Sequence, residues 1–173
     1  MALGAMQDWT MRVTAVIDHA AKEAPDREIV TRWADGSETR TNWAGIRRDA
    51  QKLAQALEQL GVKPGDRVAS LAMNHSRHLV SWYGVAGMGG VLHTINPRLF
   101  EDQLEYIANH AEDRVLLYDA AFQPIVDAMR DRWPTIEYYV CYDNGEFEEL
   151  LDAQDGDYRW FEGDERDPCM LCY

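Results

Sequence analysis

Apolar residues recur along this chain with two different patterns, and the change falls near residue 67. Before it, helical spacing predicts amphipathic helices, the clearest of which runs from Ile46 to Leu60 and ends at Gly61. Two short strands on either side of a turn at 34–37 predict a β-hairpin. The elements expected in this part are a helix at 13–24, strands at 28–33 and 38–41, and the long helix, capped by Thr41 or Asn42.

From residue 67 onward, short apolar runs alternate with helical segments. Apolar runs of this kind are typical of strands that are buried on both faces of a parallel sheet. The expected strands are 67–72, 91–95, 114–118, 136–141 and 168–173, and the expected helices are 75–88, 101–111, 121–132 and 147–151. Strands joined by helices form right-handed crossovers. The predicted fold class is therefore α/β: a mostly parallel sheet with helices on both faces, preceded by a small N-terminal helix and hairpin.

Charge and hydropathy narrow the classes of function. The chain has 17 basic and 30 acidic residues, a net charge of −13, which argues against a nucleic-acid partner because phosphate backbones are bound by clustered cations. Many of the acids lie at 143–167, where a solvated surface is expected. No apolar run approaches the roughly 20 residues of a transmembrane helix, and residues 1–10 do not resemble a secretory signal. A cytoplasmic protein is expected.

Two motifs that could carry chemistry have simpler explanations. Cys169 and Cys172 form a C-x-x-C pair in an apolar run without further metal ligands, so buried structural cysteines are expected. The glycines at 84–90 follow a helix, whereas a dinucleotide fingerprint precedes one, so they indicate close packing of that helix on the sheet. The sequence shows no catalytic triad, no metal-binding cluster and no glycine-rich phosphate loop. No residue is therefore assigned a catalytic or metal-binding role.

The loops that follow the strands are the places to look for a site, because ligands of parallel sheets bind at the carboxyl ends of the strands. Asn96-Pro97-Arg98 stands out among them. A residue before proline is held extended, and an arginine at this position can meet an anionic group. The alternative is a salt bridge from Arg98 to Glu101 or Asp102, and the residues alone leave both interpretations open.

Three histidines are candidates for chemistry. His93 lies in an apolar strand and is expected to be a satisfied core histidine, because no acid or nucleophile is spaced along the sequence to partner it. Asn74 is expected to cap the helix at 75–88. His75 and His78 are left with surface or capping roles.

Four ordered motifs give the chain a family resemblance. They are Thr-Asn-Trp at 41–43, Leu-Gly-Val-Lys-Pro-Gly-Asp-Arg-Val at 60–68, Val-Ala-Gly-Met-Gly-Gly-Val-Leu-His-Thr-Ile-Asn-Pro at 85–97 and Asn-His-Ala-Glu-Asp-Arg-Val-Leu at 109–116. Together they resemble the N-terminal region of adenylate-forming enzymes, and among these the acyl-CoA synthetases. The run His-Thr-Ile-Asn-Pro-Arg-Leu-Phe at 93–100 is similar to bacterial medium- and long-chain fatty-acyl-CoA and methylthioalkanoate-CoA ligases.

The resemblance implies that residues 1–173 are part of an N-terminal, AMP-binding domain that stops just before the phosphate-binding loop. It implies that Tyr173 borders that loop and that the Asn96-Pro97-Arg98 loop lies near the approach of CoA. The intact enzyme would use ATP, Mg²⁺ and CoA to activate a fatty or other carboxylic acid, and a homodimer is left open. The chain alone is expected to be inactive and to bind none of these tightly. The alternative function is a non-catalytic α/β binding or dimerisation module.

Overall fold

The computed structural model describes residue 4 and residues 9–173. Short 3₁₀ turns at Ala120–Phe122 and Arg130–Arg132 flank the helix Gln123–Met129. The elements of the described part are α1 (Val13–Glu23), β1 (Glu28–Arg32), β2 (Glu38–Asn42), α2 (Trp43–Gln59), β3 (Arg67–Leu71), α3 (Ser76–Gly87), β4 (Val91–Thr94), α4 (Glu101–Ala111), β5 (Asp113–Tyr118), α5 (Gln123–Met129), β6 (Tyr138–Cys141), α6 (Glu146–Asp152) and β7 (Met170–Leu171). Every predicted helix and strand is present.

The main sheet of the described part has the strand order β6-β5-β3-β4-β7, and all its neighbouring strands are parallel. β1 and β2 form a separate antiparallel hairpin. The chain leaves β3 for β4 on one side and then crosses to β5 on the other side of β3. This reversal makes the carboxyl end of β3 a topological switch point, where ligands of such sheets bind. The predicted parallel sheet and hairpin are confirmed.

Two hydrophobic clusters cover the two faces of the sheet. One joins the helices α1, α2, α3 and α6 to the sheet through residues such as Ile17, Leu53 and Phe147. The other joins α4 and α5 to the opposite face and includes Leu104 and Val126. Helices therefore lie on both faces, as predicted.

The helix caps confirm one prediction and correct another. The Asn42 side chain accepts a hydrogen bond from the backbone N–H of Gly45 at 2.8 Å and caps α2. The predicted capping of α3 by Asn74 is wrong. Because α3 begins at Ser76, the capping position is His75, whose Nδ1 accepts from the backbone N–H of His78 at 3.1 Å.

The glycines at the end of α3 permit close packing, but their partners differ from the prediction. A methyl group on Gly84 would lie 2.9 Å from the backbone oxygen of Ala50 in α2. A methyl group on Gly87 would overlap the indole ring of Trp160. These glycines thus fit α3 against another helix and against an aromatic side chain, whereas packing on the sheet was expected.

The prediction that Cys169 and Cys172 are buried is wrong. Cys141 is buried, Cys169 is half-buried and Cys172 is exposed. The strand expected at 168–173 is only Met170–Leu171, so Cys172 lies beyond the strand and outside its packing.

Candidate functional site

The parallel strands bring the predicted loops to one edge of the sheet, here called the carboxyl edge. Met73 follows β3, Asn96 follows β4, Asp119 follows β5 and Tyr173 follows β7. These residues come from distant parts of the sequence and share an edge because parallel strands all end on the same side. The carboxyl edge is therefore the candidate site.

The loop after β4 is held in a tight local structure. The Asn96 side chain accepts a hydrogen bond from the backbone N–H of Arg98 at 3.0 Å. Asn96 and Arg98 are exposed and Pro97 is half-buried. The loop thus presents an arginine to solvent directly beyond a buried strand.

The alternative of a salt bridge from Arg98 to the next helix is wrong. Glu101 and Asp102 bind Arg132 instead, at 2.9 and 3.0 Å. Arg132 can reach them because the 3₁₀ turn after α5 places it beside the first turn of α4. Within residues 9–173, the guanidinium of Arg98 has no ion-pair partner and remains available to an anionic ligand.

A hydrogen-bond network fixes the loop between β3 and α3. The Asp119 carboxylate accepts from the backbone N–H of Met73 at 2.7 Å and from Nε2 of His75 at 2.8 Å. Since Nδ1 of His75 accepts the capping bond of α3, its proton lies on Nε2 and the donor of the second bond is defined. The expected capping role of His75 is confirmed, and the carboxylate that fixes its ring was missed because it lies 44 residues away.

His78 and Ser70 form a pair that resembles an activated nucleophile, but burial rules out that role. Nε2 of His78 lies 3.0 Å from the Ser70 hydroxyl, while Nδ1 lies 3.2 Å from the Met73 carbonyl oxygen. Burial is the main cause that lowers the pKa of His78, and the nearby His75 adds to it. The ring is therefore a neutral acceptor for the hydroxyl. Ser70 is only 1% exposed, so it cannot reach a substrate.

A cleft of about 260 Å³ opens between the ends of β3 and β4. Its walls are Asn74, His75, His78, Leu79, Trp82 and Thr94. None of these groups carries a fixed positive charge, and Thr94 is followed four residues later by the exposed Arg98. The carboxyl edge therefore combines a neutral cleft with a free cation.

Tyr173 approaches this edge through its backbone, while its side chain lies on the α4 face. The pairing of β7 with β4 sets Leu171 opposite His93, so Tyr173 comes beside the end of β4. Its hydroxyl is 2.6 Å from Nδ1 of His110, and its ring centroid is 5.0 Å from that of His93. The two predicted site elements thus lie at neighbouring strand ends, and the tyrosine side chain is hydrogen-bonded to His110 and packs against His93.

His93 lies in the core as predicted, but the expectation that it has no acidic partner is wrong. Nδ1 of His93 is 2.7 Å from a carboxylate oxygen of Asp113, and both side chains are fully buried. Burial raises the pKa of Asp113, and the bond to His93 partly opposes that shift. His93 Nε2 and the second Asp113 oxygen have no partner within the described chain, so this histidine is only half satisfied.

The described residues meet only part of the needs of a nucleotide-dependent reaction. Arg98 suits a phosphate group, because an exposed guanidinium can bind it through two donors. Among the described residues no group of three His, Cys, Asp or Glu side chains could hold a metal ion. None of the described helices combines the length and apolarity that crossing a bilayer requires.

Comparison with known proteins agrees with this architecture. The chain is 41% identical to a 3-methylmercaptopropionyl-CoA ligase of Ruegeria lacuscaerulensis and 37% identical to a medium-chain-fatty-acid–CoA ligase of Ectopseudomonas oleovorans. In each case 99% of this chain and 34% of the relative are aligned, so the chain spans about a third of the length of these relatives.

The fold is also that of a solved N-terminal domain. The inhibitor-bound N-terminal domain of FACL13 from Mycobacterium tuberculosis superposes with a TM-score of 0.82 at 25% identity, over 92% of this chain and 40% of that one. The family model described as AMP-binding enzyme matches residues 17–173. The chain therefore belongs to the AMP-binding enzyme family.

Proposed function

We propose that this chain forms the N-terminal part of an enzyme that activates a fatty or related carboxylic acid with ATP and transfers it to CoA. The observation that carries the proposal is the 41% identity, along 99% of the chain, to a protein named as a CoA ligase. The family match over residues 17–173 supports it. Residues 1–173 are then one part of the AMP-binding domain, and the enzyme works in the cytoplasm.

The proposed reaction has two balanced steps. A carboxylate oxygen of the acid attacks the α-phosphorus of ATP, and the bond to pyrophosphate breaks. The CoA sulfur, having lost its proton, then attacks the acyl carbon, and AMP leaves with the electron pair of the carbon–oxygen bond. Catalysis of this kind depends on positioning and on stabilising negative charge. The contribution proposed for this chain is a rigid sheet that positions the loops of the site.

Within that function we assign the Asn96-Pro97-Arg98 loop to CoA. Arg98 is exposed, has no ion-pair partner in the described chain and lies at the carboxyl edge. The arginine would bind a phosphate of CoA, and the turn made by Asn96 would hold it in place. We assign ATP and Mg²⁺ to residues that follow Tyr173.

The whole proposal is tested by pyrophosphate exchange in the full-length gene product. A panel of short-, medium- and long-chain acids and of thioether-containing acids is added to the purified enzyme with ATP and labelled pyrophosphate. We expect acid-dependent exchange for at least one acid, and exchange at blank level for the isolated 173-residue chain. Exchange with none of the acids would refute the proposal and favour a non-catalytic module.

The assignment of Arg98 has its own test. In the full-length enzyme, Arg98→Ala should raise the KM for CoA and leave the pyrophosphate-exchange step unchanged, because CoA enters only in the second step. Arg27→Ala is the matched control, since Arg27 is also exposed and has no side-chain partner in the described chain. Equal effects of the two substitutions on CoA would contradict the assignment.

A further inference from the structure

The strand β7 has little backbone support for its position. It consists of Met170 and Leu171 and, within the described residues, pairs only with β4. The residue just before the strand, Cys169, accepts a hydrogen bond from the Leu92 N–H through its carbonyl at 3.1 Å. Because so short a strand gains few ladder bonds, its side-chain contacts decide where it lies.

Those contacts are made on both faces of β7. On the α3 face, Nε1 of Trp82 lies 3.4 Å from the Met170 sulfur. On the α4 face, the Tyr173 hydroxyl bonds to His110, whose ring is stacked on Tyr106 with 5.3 Å between centroids. The α4 contact acts on Tyr173 itself, the residue through which the chain leaves the strand.

The bond between Tyr173 and His110 joins the phenol oxygen to Nδ1 of the imidazole. Partial desolvation raises the pKa of Tyr173, and the buried Asp113 adds to that shift. The phenol therefore stays protonated at neutral pH, and its hydroxyl can donate to or accept from Nδ1 of His110, according to the tautomer of the imidazole. The 2.6 Å separation is that of a well-formed hydrogen bond.

The ring of His93 packs against the ring of Tyr173. Its centroid is 5.0 Å from that of Tyr173. Its own Nδ1 is bonded to Asp113 at 2.7 Å, with neither side chain exposed to solvent. An imidazole that is buried and bonded to a carboxylate cannot turn freely, so Tyr173 rests on a rigid surface.

We propose that His110 and His93 are positioning residues that clamp Tyr173 and thereby fix the segment that follows β7. The proposal rests on the proposed function, under which that segment binds the phosphates of ATP. Neither histidine is a catalytic residue, because the clamp acts on the tyrosine and only through it on the nucleotide.

The test uses His110→Ala, Tyr173→Phe and the double variant in the full-length enzyme. The KM for ATP in pyrophosphate exchange should rise about two- to tenfold in each single variant, as expected for loss of one hydrogen bond. The maximal rate and the KM for the acid should not change. The double variant should be no worse than either single variant, because both remove the same bond.

Three further variants separate the clamp from general damage. His110→Asn should restore most of the affinity, since its side-chain amide can either accept or donate the bond to the Tyr173 hydroxyl. His19→Ala and Tyr138→Phe are matched controls at exposed positions away from β7 and should leave the KM for ATP unchanged. Additive single effects, or equal rises in the KM for ATP and for the acid, would overturn the proposal.

Hydrogen exchange tests the clamp independently of activity. Peptides that contain Met170 and the residues after Tyr173 should exchange faster in His110→Ala and Tyr173→Phe than in the wild type, and both controls should match the wild type. Unchanged exchange in these peptides would overturn the clamp even in an active enzyme. A wild type without pyrophosphate exchange would refute the proposed function, while faster peptide exchange would still show that the clamp exists.

Discussion

Gly87, the last residue of α3, offers a sharp test of how the region before β7 packs. A methyl group there would overlap the six-membered ring of Trp160. That ring cannot move freely, because its Nε1 is bonded to Asp18 at 3.0 Å and the next backbone N–H, that of Phe161, is bonded to the Gly87 carbonyl at 2.8 Å. We therefore expect Gly87→Ala to destabilise the protein.

The expected cost follows from two opposing effects. Adding a methyl group to a well-packed site costs about 1–3 kcal/mol. Gly87 is not among the residues with positive φ, so its backbone conformation is open to alanine. The higher helix propensity of alanine should stabilise α3 by at most about 1 kcal/mol. The net loss should be about 1–2 kcal/mol in the free energy of unfolding.

The measurement is urea unfolding followed by far-UV circular dichroism, in two backgrounds. In the wild type, Gly87→Ala should lower the free energy of unfolding. In the Trp160→Ala background the overlap is gone, so the same substitution should be neutral or stabilising by up to about 1 kcal/mol. An equal loss in both backgrounds would refute the packing argument.

Three other predictions concern stability. Asn42→Ala removes the cap of α2 and should lower the free energy of unfolding by about 1 kcal/mol in urea titrations. Phe147→Ala, at a side chain that is 1% exposed, should cost about 3–5 kcal/mol in the same assay. Because burial raises the pKa of Asp113 in the native state, the wild type should lose stability as pH rises from the ordinary carboxyl pKa through the raised one. The Asp113→Asn variant should not show this loss of stability. Parallel pH profiles of the free energy of unfolding for the two proteins would contradict the prediction.

The elements of this fold could be predicted because each has a local signal. The 3.6-residue period of α2 and the apolar run of β3 are complete within their own segments. The end of the chain was harder, because the apolar run at 168–173 is longer than the two-residue strand that it forms. Strand length depends on a neighbouring strand, and the sequence pattern does not show where that neighbour ends.

The site was predictable only to the level of loops. Parallel topology was enough to place the Asn96-Pro97-Arg98 loop at the carboxyl edge. The partner of His93 was missed because Asp113 begins β5, on the far side of β3 from β4. Likewise the alternative of a salt bridge from Arg98 is wrong because Arg132, 30 residues beyond Asp102, binds both Glu101 and Asp102. Such pairs depend on strand order and helix packing, and the spacing of residues along the sequence does not reveal either of these.

The net charge of −13 also has a different meaning once the acids are placed in the fold. Asp164 and Asp167 precede β7 and so lie toward the amino edge of the sheet, opposite the candidate site. The two edges are separated by the length of a strand: β5 has six residues and spans roughly 20 Å at about 3.3 Å per residue. This distance is about twice the Debye length at physiological salt, so the charges of Asp164 and Asp167 are largely screened at the candidate site.

Two acids that do follow strands at the carboxyl edge are already bound. Asp119 accepts from His75 and Met73. Asp143 is 3.2 Å from Arg77 and accepts from the backbone N–H of Ala120 at 2.8 Å. The carboxylates nearest to Arg98 in the sequence, Glu101 and Asp102, both point to Arg132, so none of these acids takes the Arg98 guanidinium away from an anionic ligand.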